Sequence, residues 1–111
     1  VDFFLMDISD PAVRHHGRQY DLVIMLEVLW YVLDHLTVIQ DAISSLLSPG
    51  GYLLCKQHFP DPGVPYVGKE QFPNPQRMID YWSGFEIINS CEIHKDCGEP
   101  STHMWFLAKK T

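Results

Sequence analysis

The feature of the sequence that most constrains the fold is the run Tyr20–Leu26, YDLVIML, which has no regular polar alternation after Asp21. Runs of apolar and β-branched residues of this length are typical of a parallel strand that is buried on both faces of a sheet. The sequence therefore predicts a buried strand here, within an α/β fold. One domain covering residues 1–111 is expected, because a chain of this length with 46% hydrophobic residues supports a single core.

A helix and a second strand are predicted after this run. Asp34 is a candidate N-cap, and the turn at 48–51, Ser-Pro-Gly-Gly, is expected to end the helix. The apolar residues between them recur at helical spacing: Leu36, Ile39, Ile43 and Leu46. Tyr52–Gln57 then resembles another strand, and the order strand, helix, strand implies a parallel pair with a right-handed crossover.

The remaining segments extend this pattern towards both ends of the chain. Val1–Met6 is predicted to be a strand, and the segment 11–19 is expected to hold a turn of helix. After the loop 58–73, Asn74-Pro75 predicts the start of a helix that presents one apolar side and stops at Gly84. Two strands, Phe85–Ile93 and His103–Lys109, are expected to form an antiparallel pair.

Three motifs in this order carry a resemblance to a known family. They are YDLVIMLEVLWYV at 20–32, LLSPGGYLL at 46–54 and GFEII at 84–88. Their order and spacing resemble the fourth, fifth and sixth strand regions of class I S-adenosylmethionine-dependent methyltransferases. The resemblance implies a Rossmann-like methyltransferase fold in truncated form, with a mostly parallel sheet that ends in an antiparallel strand pair. The resemblance covers nearly the whole chain, and the ordered set of motifs is more specific than any one of them. A half of a dehydrogenase domain is the disfavoured alternative, because the nicotinamide-binding fingerprint is missing.

The resemblance also implies roles for particular residues. Asp7 and Ile8, after the first predicted strand, would contact the adenine of S-adenosylmethionine. Met25, Leu26 and Glu27 would lie beside its methionine and sulfonium end. Trp30 and Tyr31 would line the pocket or the substrate entrance, with Trp30 as a cofactor contact and Tyr31 as a candidate catalytic residue. Asp7 has an alternative role as a turn residue, and Trp30 and Tyr31 have one as core or rim aromatics.

The first two strands of the family, with the glycine-rich turn and the acidic residue for the ribose, have no counterpart in this sequence. Cofactor binding by this chain alone is therefore expected to be poor, and activity is expected only after completion by the missing half or by a partner chain. The chain resembles either a fragment of a longer protein or a naturally short relative. In a fragment, the missing strands would cover the edge of Tyr20–Leu26. A short relative must cover this edge by pairing with another chain, for which a homodimer is predicted, or by moving Val1–Met6 beside Tyr20–Leu26.

Several residues attract chemical interpretations of their own. His58 follows the strand Tyr52–Gln57 at the edge where open α/β sheets build their sites, so it is the candidate general base, with a surface histidine as the alternative. Glu27 follows an apolar strand and is expected to have a cation, a backbone group or water as its partner. His15-His16 and the set His94, Cys97 and His103 lack a second ligand pair at a recognised spacing, so no metal site is predicted.

The composition indicates which binding partners and which cellular compartment are expected. A formal net charge of −6 without a basic run disfavours nucleic acid, and no apolar run is long enough to cross a membrane. Three cysteines without CxxC spacing fit a reducing, cytoplasmic location. The combined hypothesis is a methyltransferase, or its C-terminal half, acting on a small-molecule acceptor. The alternative is a non-catalytic remnant that serves as a homodimeric interaction module.

Overall fold

The structure is a computed structural model that describes residues 2–95, 98 and 100–111. Within these residues the chain forms one four-stranded sheet of order β1-β2-β4-β3. The strands are β1 (Tyr20–Leu26), β2 (Leu47–Pro60), β3 (Phe85–Lys95) and β4 (Ser101–Lys110). The helices are α1 (Leu36–Leu46) and α2 (Pro75–Tyr81), and short 3₁₀ helices occupy Pro11–His15, Leu29–Tyr31 and Leu33–His35.

The sheet combines parallel and antiparallel pairing. β1 pairs with β2 in parallel, with Leu26 opposite Lys56, whereas β4 lies between β2 and β3 and runs antiparallel to both. The expected antiparallel pair at the end of the chain is confirmed. The expectation of a mostly parallel sheet is wrong, because inserting β4 between β2 and β3 leaves one parallel pair among the strand pairs of the described residues.

Both main helices form where their local sequence signals predict them. α1 buries Leu36, Ile39, Ala42, Ile43 and Leu46 along one face, as the helical spacing requires. α2 begins at Pro75 after Asn74, whose side chain accepts a hydrogen bond from the backbone N–H of Arg77 at 3.0 Å. Asp34 does not cap α1, because it lies one residue too early, inside the 3₁₀ helix Leu33–His35.

The hydrophobic core lies between the sheet and the two helices. Alternate residues of β2 and β4 point into it and are at most 2% exposed: Leu53, Cys55, Gln57, Phe59, Met104, Phe106 and Ala108. Ile39 and Trp82 reach the same core from α1 and the end of α2. The period of two along each strand therefore assigns one face of the sheet to the core.

The opposite face of the sheet, called the open face below, has no helix packed on it among the described residues. Its apolar members are Leu22, Ile24, Leu26, Tyr52, Leu54, Trp105 and Leu107. On β1 the side chains of Leu22, Ile24 and Leu26 are 48%, 54% and 50% exposed. The prediction that β1 is buried on both faces is therefore wrong for this chain, although the strand itself has the predicted bounds.

The first segment of the chain also differs from the prediction. Asp2–Met6 lies outside any strand, and Val1 lies outside the described residues. Phe3 and Leu5 are 91% and 104% exposed, and Asp2–Met6 pairs with no strand in the described part of the chain. Arg18 holds the segment near the start of β1 through an ion pair with Asp2 and by stacking over the ring of Phe4. The predicted helical turn is confirmed as the 3₁₀ helix Pro11–His15.

The turn at 48–51 is incorporated into β2 rather than preceding it. Gly50 has a φ of +77°, a conformation that glycine adopts at little cost. A Cβ at Gly51 would lie 3.1 Å from the carbonyl oxygen of Tyr20, so glycine lets β2 approach the start of β1 closely. β2 also continues beyond Gln57 to Pro60, which shortens the predicted loop 58–73 at its beginning.

Truncating the core should test this packing directly. Leu53 is fully buried, and Leu53→Ala is expected to lower the free energy of unfolding by about 2–5 kcal/mol in urea denaturation, because it removes buried methyl groups and leaves a cavity. The matched control is Val67→Ala in the loop after β2, where the side chain is 84% exposed and the expected change is within about 0.5 kcal/mol. Equal effects of the two substitutions would contradict the assigned core.

Candidate functional site

Polar side chains collect where β1 and β2 end, and Glu27 is at their centre. Glu27 follows β1 directly and has a φ of +58°, a left-handed conformation that is uncommon for residues other than glycine. Its backbone N–H donates to the carbonyl of Lys56 at 2.9 Å, which extends the pairing of β1 with β2 by one residue. Strained residues of this kind are often found at functional sites, so the turn at Glu27 is a candidate site.

The Glu27 carboxylate is held across the end of β2 by three donors. The Lys56 ammonium donates to Oε1, the Gln57 side-chain amide donates to Oε2 at 3.2 Å, and the backbone N–H of His58 donates to Oε2 at 2.9 Å. We call this arrangement the carboxylate network. The expectation that Glu27 has a cation or a backbone partner is confirmed, and here it has both.

The carboxylate network keeps Glu27 ionised. Partial burial alone would raise the pKa of the Glu27 carboxyl group. The hydrogen bonds from Lys56 and His58 outweigh this effect, and together with the positive charge of these residues they lower the pKa below its usual value. Glu27 is therefore a fixed anion rather than a group suited to exchange protons near neutral pH.

Gln57 connects this network to the core. It is fully buried, its Oε1 accepts from the backbone N–H of Leu29 at 3.1 Å, and its amide group donates to Glu27. Both ends of the side chain are therefore satisfied, as a buried amide requires. Gln57 thereby fixes the turn from Glu27 to Leu29 against the end of β2.

Trp30 forms the next layer of the site. Its indole N–H donates to the carbonyl of His58 at 2.6 Å, and its ring packs edge to face on Phe59 and Tyr66, with centroid distances of 5.1 and 5.5 Å. Gly68 approaches the same ring so closely that a Cβ there would lie 3.0 Å from Cζ3. Trp30 therefore anchors the loop after β2 to the end of the sheet.

The imidazole of His58 is left free by these backbone contacts and faces that of His103 on β4, with ring centroids 5.2 Å apart. The two residues are direct partners in the antiparallel pairing of β2 with β4. They line an open groove of about 380 Å³, the histidine groove, whose described lining residues are His58, Pro60, Lys95, Pro100, Ser101 and His103. The groove lies beside the carboxylate network, at the same end of the sheet.

The other predicted site residues are more dispersed. The Met25 side chain is buried in the core, and Leu26 lies half exposed on the open face. Tyr31 is 87% exposed, which places it on the outside of its turn and away from the packed ring of Trp30. The structure thus brings together Glu27, Trp30 and His58 from the predicted set.

Asp7 and Ile8 lie on a separate turn. Asp7 accepts hydrogen bonds from the side chain and the backbone N–H of Ser9, at 2.6 and 2.9 Å, which lower the pKa of its carboxyl group, and the charge of His35 lowers it further. This geometry is that of a turn residue. Ile8 packs against the core beneath it. His35 directly precedes α1, so this turn lies near the end of the sheet where β1 leads into the helix.

Lys56 and His103 are the residues of the site that the sequence prediction missed. Lys56 was detectable as an isolated lysine among apolar residues of the strand, but its partner depends on the register that sets it opposite Leu26. His103 was considered only as a metal ligand with His94 and Cys97. Cys97 lies outside the described residues, and no group of three metal-ligating side chains occurs in the described part of the chain.

Comparisons with known proteins identify the fold of the chain. No protein-family model matches the sequence, and a search of curated proteins finds no significant match. Solved structures do resemble it. The similar structures include a S-adenosylmethionine-dependent methyltransferase of Methanosarcina mazei (TM-score 0.71, 13% identity, 98% of this chain and 66% of that chain). They also include TehB of Haemophilus influenzae (TM-score 0.63, 19% identity, 97% of this chain and 40% of that chain). A third is the N-methyltransferase NodS of Bradyrhizobium japonicum in complex with S-adenosyl-L-homocysteine (TM-score 0.61, 13% identity, 85% of this chain and 47% of that chain).

These similarities establish that the chain has the methyltransferase fold. At identities below 20% they show the fold alone. The aligned part of this chain spans between 40% and 66% of the length of these three structures. The described residues also contain no helix that is both long enough and apolar enough to cross a membrane.

Removing the cation of the carboxylate network should change the titration of Glu27. Lys56→Met is expected to raise the Glu27 pKa, measured by carboxyl NMR, because a hydrogen bond and a positive charge are lost while the burial remains. Lys109→Met is the control. Lys109 lies on β4 opposite Tyr52, at the end of the sheet away from the carboxylate network, and its substitution should leave the Glu27 pKa unchanged.

The same substitution has a pH-dependent effect on stability. Because the pKa of Glu27 is lowered in the folded chain, its contribution is present at neutral pH and is lost as the pH falls through the folded pKa. The stability difference between wild type and Lys56→Met should therefore shrink in acid. A difference that is constant with pH would show that the Lys56–Glu27 ion pair does not stabilise the fold.

Proposed function

We propose that this chain is part of a S-adenosylmethionine-dependent methyltransferase that acts on a small molecule. The observation that carries the proposal is Glu27, held as an anion by the carboxylate network directly after β1, in a chain with the methyltransferase fold. Open α/β sheets build their binding sites at the carboxyl ends of their parallel strands, which is where Glu27 lies.

The residues at this end of the sheet have properties that suit S-adenosylmethionine. When bound, the cofactor supplies a methyl group on a positively charged sulfonium. By the family resemblance the Glu27 carboxylate, already paired with Lys56, would lie beside the cationic end, and the exposed side chain of Leu26 offers an apolar surface next to it. Trp30 would border the same pocket, whereas the buried Met25 could contribute only through its backbone. Asp7 and Ile8 are proposed for the adenine, by the family resemblance.

Methyl transfer from a sulfonium needs mainly alignment of the two reactants, which positioning alone can accelerate strongly. The left-handed backbone of Glu27 and its three donors provide a rigid reference for such alignment. His58 is the proposed general base for an acceptor that must lose a proton, because its imidazole projects into the histidine groove while its backbone is fixed by Glu27 and Trp30. Tyr31 is proposed for the entrance, where its exposure would let it contact an incoming acceptor.

Binding of S-adenosylhomocysteine, the product of the cofactor, tests the proposal. Calorimetric titration of the purified chain is expected to show weak but saturable binding, because the glycine-rich turn and the ribose-binding acidic residue of the family have no counterpart in this sequence. Asp7→Ala should weaken the binding further, whereas Asp80→Ala should not, since Asp80 lies on α2, where no cofactor contact is proposed. A folded chain that shows no heat of binding would contradict cofactor binding by this chain alone.

The edge of the sheet favours a second candidate function, a homodimeric interaction module. β1 is an edge strand among the described residues, and its outward side chains are about half exposed. Unpaired edges of this kind associate readily with another strand. This function requires neither cofactor nor acceptor, and it would apply if the methyltransferase fold were retained without its chemistry.

Association through β1 can be measured by light scattering. The wild-type chain is expected to show a dimer mass, and Ile24→Lys should shift it to a monomer because a charge on the edge strand opposes pairing. Ile88→Lys is the matched control, since Ile88 is similarly exposed but lies on β3 at the other edge. A monomer at high concentration for the unmodified chain would contradict the dimer, and loss of the dimer in both variants would contradict the choice of β1.

A further inference from the structure

The histidine groove has a distinctive chemical character within an acidic chain. Its described lining carries two imidazoles, the Lys95 ammonium and the Ser101 hydroxyl. No acidic side chain lines it among the residues that the structure describes. The chain as a whole has a formal net charge of −6, so a local set of hydrogen-bond donors and positive charge runs against its overall composition.

The pairing of the strands explains why these groups converge. His58 on β2 lies opposite His103 on β4, and His103 lies opposite Ile93 on β3. Because side chains alternate along a strand, Lys95 shares the face of Ile93, and Ser101 shares the face of His103. Adjacent strands thus direct donors to one place on the open face, and rigid backbone pairing fixes their spacing.

The contacts of this groove differ from those of the carboxylate network. The hydrogen bonds of Glu27 go to Lys56, Gln57 and the backbone N–H of His58, so its carboxylate does not occupy the groove, although its charge acts on His58. An imidazole donates an N–H whichever protonation state it is in, a lysine ammonium donates as a cation, and a serine hydroxyl can donate as well. Two rings 5.2 Å apart would repel each other if both were protonated, and an anion in the groove that accepts hydrogen bonds from both would relieve that repulsion.

We propose that the histidine groove binds an anionic group, a carboxylate or a phosphate, of the methyl acceptor. The assignment of that anion to an acceptor rests on the proposed methyltransferase function, whereas anion binding itself does not. The groove adjoins the carboxylate network through His58, so an acceptor anchored there by its anionic group would extend towards Glu27 and Trp30. Lys95, Ser101 and His103 are specificity residues in this proposal.

The experiment is an NMR titration of the full chain with inorganic phosphate and, separately, with acetate. The ring signals of His58 and His103 are observed, and sodium chloride at matched ionic strength is the reference. Saturable shifts of both rings with phosphate, acetate or both, beyond those with chloride, are expected. The stronger of the two anions identifies the class of group that the groove prefers.

Matched variants locate the binding. Lys95→Gln is expected to weaken anion binding about three- to tenfold, because one charge-assisted hydrogen bond is lost. His103→Gln should also weaken it, whereas Arg77→Gln on α2, a cation on the core side of the sheet, should leave it unchanged. Circular dichroism of each variant verifies that the fold is kept.

The outcomes separate this proposal from the proposed function. Shifts no larger than those with chloride, or equal affinity in wild type and Lys95→Gln, would overturn the anion site. A response of both rings to Zn²⁺ without any response to phosphate or acetate would overturn it as well, by assigning the groove to a cation. Anion binding without S-adenosylhomocysteine binding would support the groove and count against methyl transfer by this chain alone.

Discussion

The alternation of side chains along β2 is the constraint on which the rest of the structure depends. β2 pairs with β1 on one side and with β4 on the other, so every displacement of its register would move both neighbours. Its odd-numbered residues from Leu53 to Phe59 are buried against the helices. Its even-numbered residues therefore face the other way, and these include Lys56 and His58. Core packing and the chemistry of the candidate site are thus fixed by one strand.

This constraint explains why the site could be predicted only in part. The bounds of β1, the apolar face of α1 and the Asn74 cap of α2 follow from local signals within a few residues of each other. The need of Glu27 for a partner also followed from its position after an apolar strand. Its contact with Lys56, however, joins residues 29 positions apart and depends on strand register, which a local pattern does not specify. The pair His58 and His103 is hidden from the sequence for the same reason.

The errors concerning β1 and Val1–Met6 have one physical origin. An apolar run shows that its side chains favour burial, but it does not contain the surface that would bury them. For β1, α1 covers one face, and Leu22, Ile24 and Leu26 remain on the open face. Phe3 and Leu5 are equally apolar, but no strand of the described residues lies beside them, and they stay exposed. The sheet has fewer parallel pairs than predicted because β4 lies between β2 and β3 and runs antiparallel to both, so β2 and β3 do not pair with each other.

The open face and the candidate site are parts of the same surface, which bears on how the two proposed functions relate. Apolar residues of β1, β2 and β4 occupy the middle of this face, and the histidine groove lies at the end where β2 stops. Any surface that covers the apolar part would exclude water from the neighbouring groove and from Glu27. Exclusion of water strengthens the interaction of Glu27 with a cation and of the groove with an anion, because the local dielectric constant falls. Covering the open face would therefore bury its apolar residues and strengthen the electrostatics of the site at the same time, so the two proposed functions are compatible.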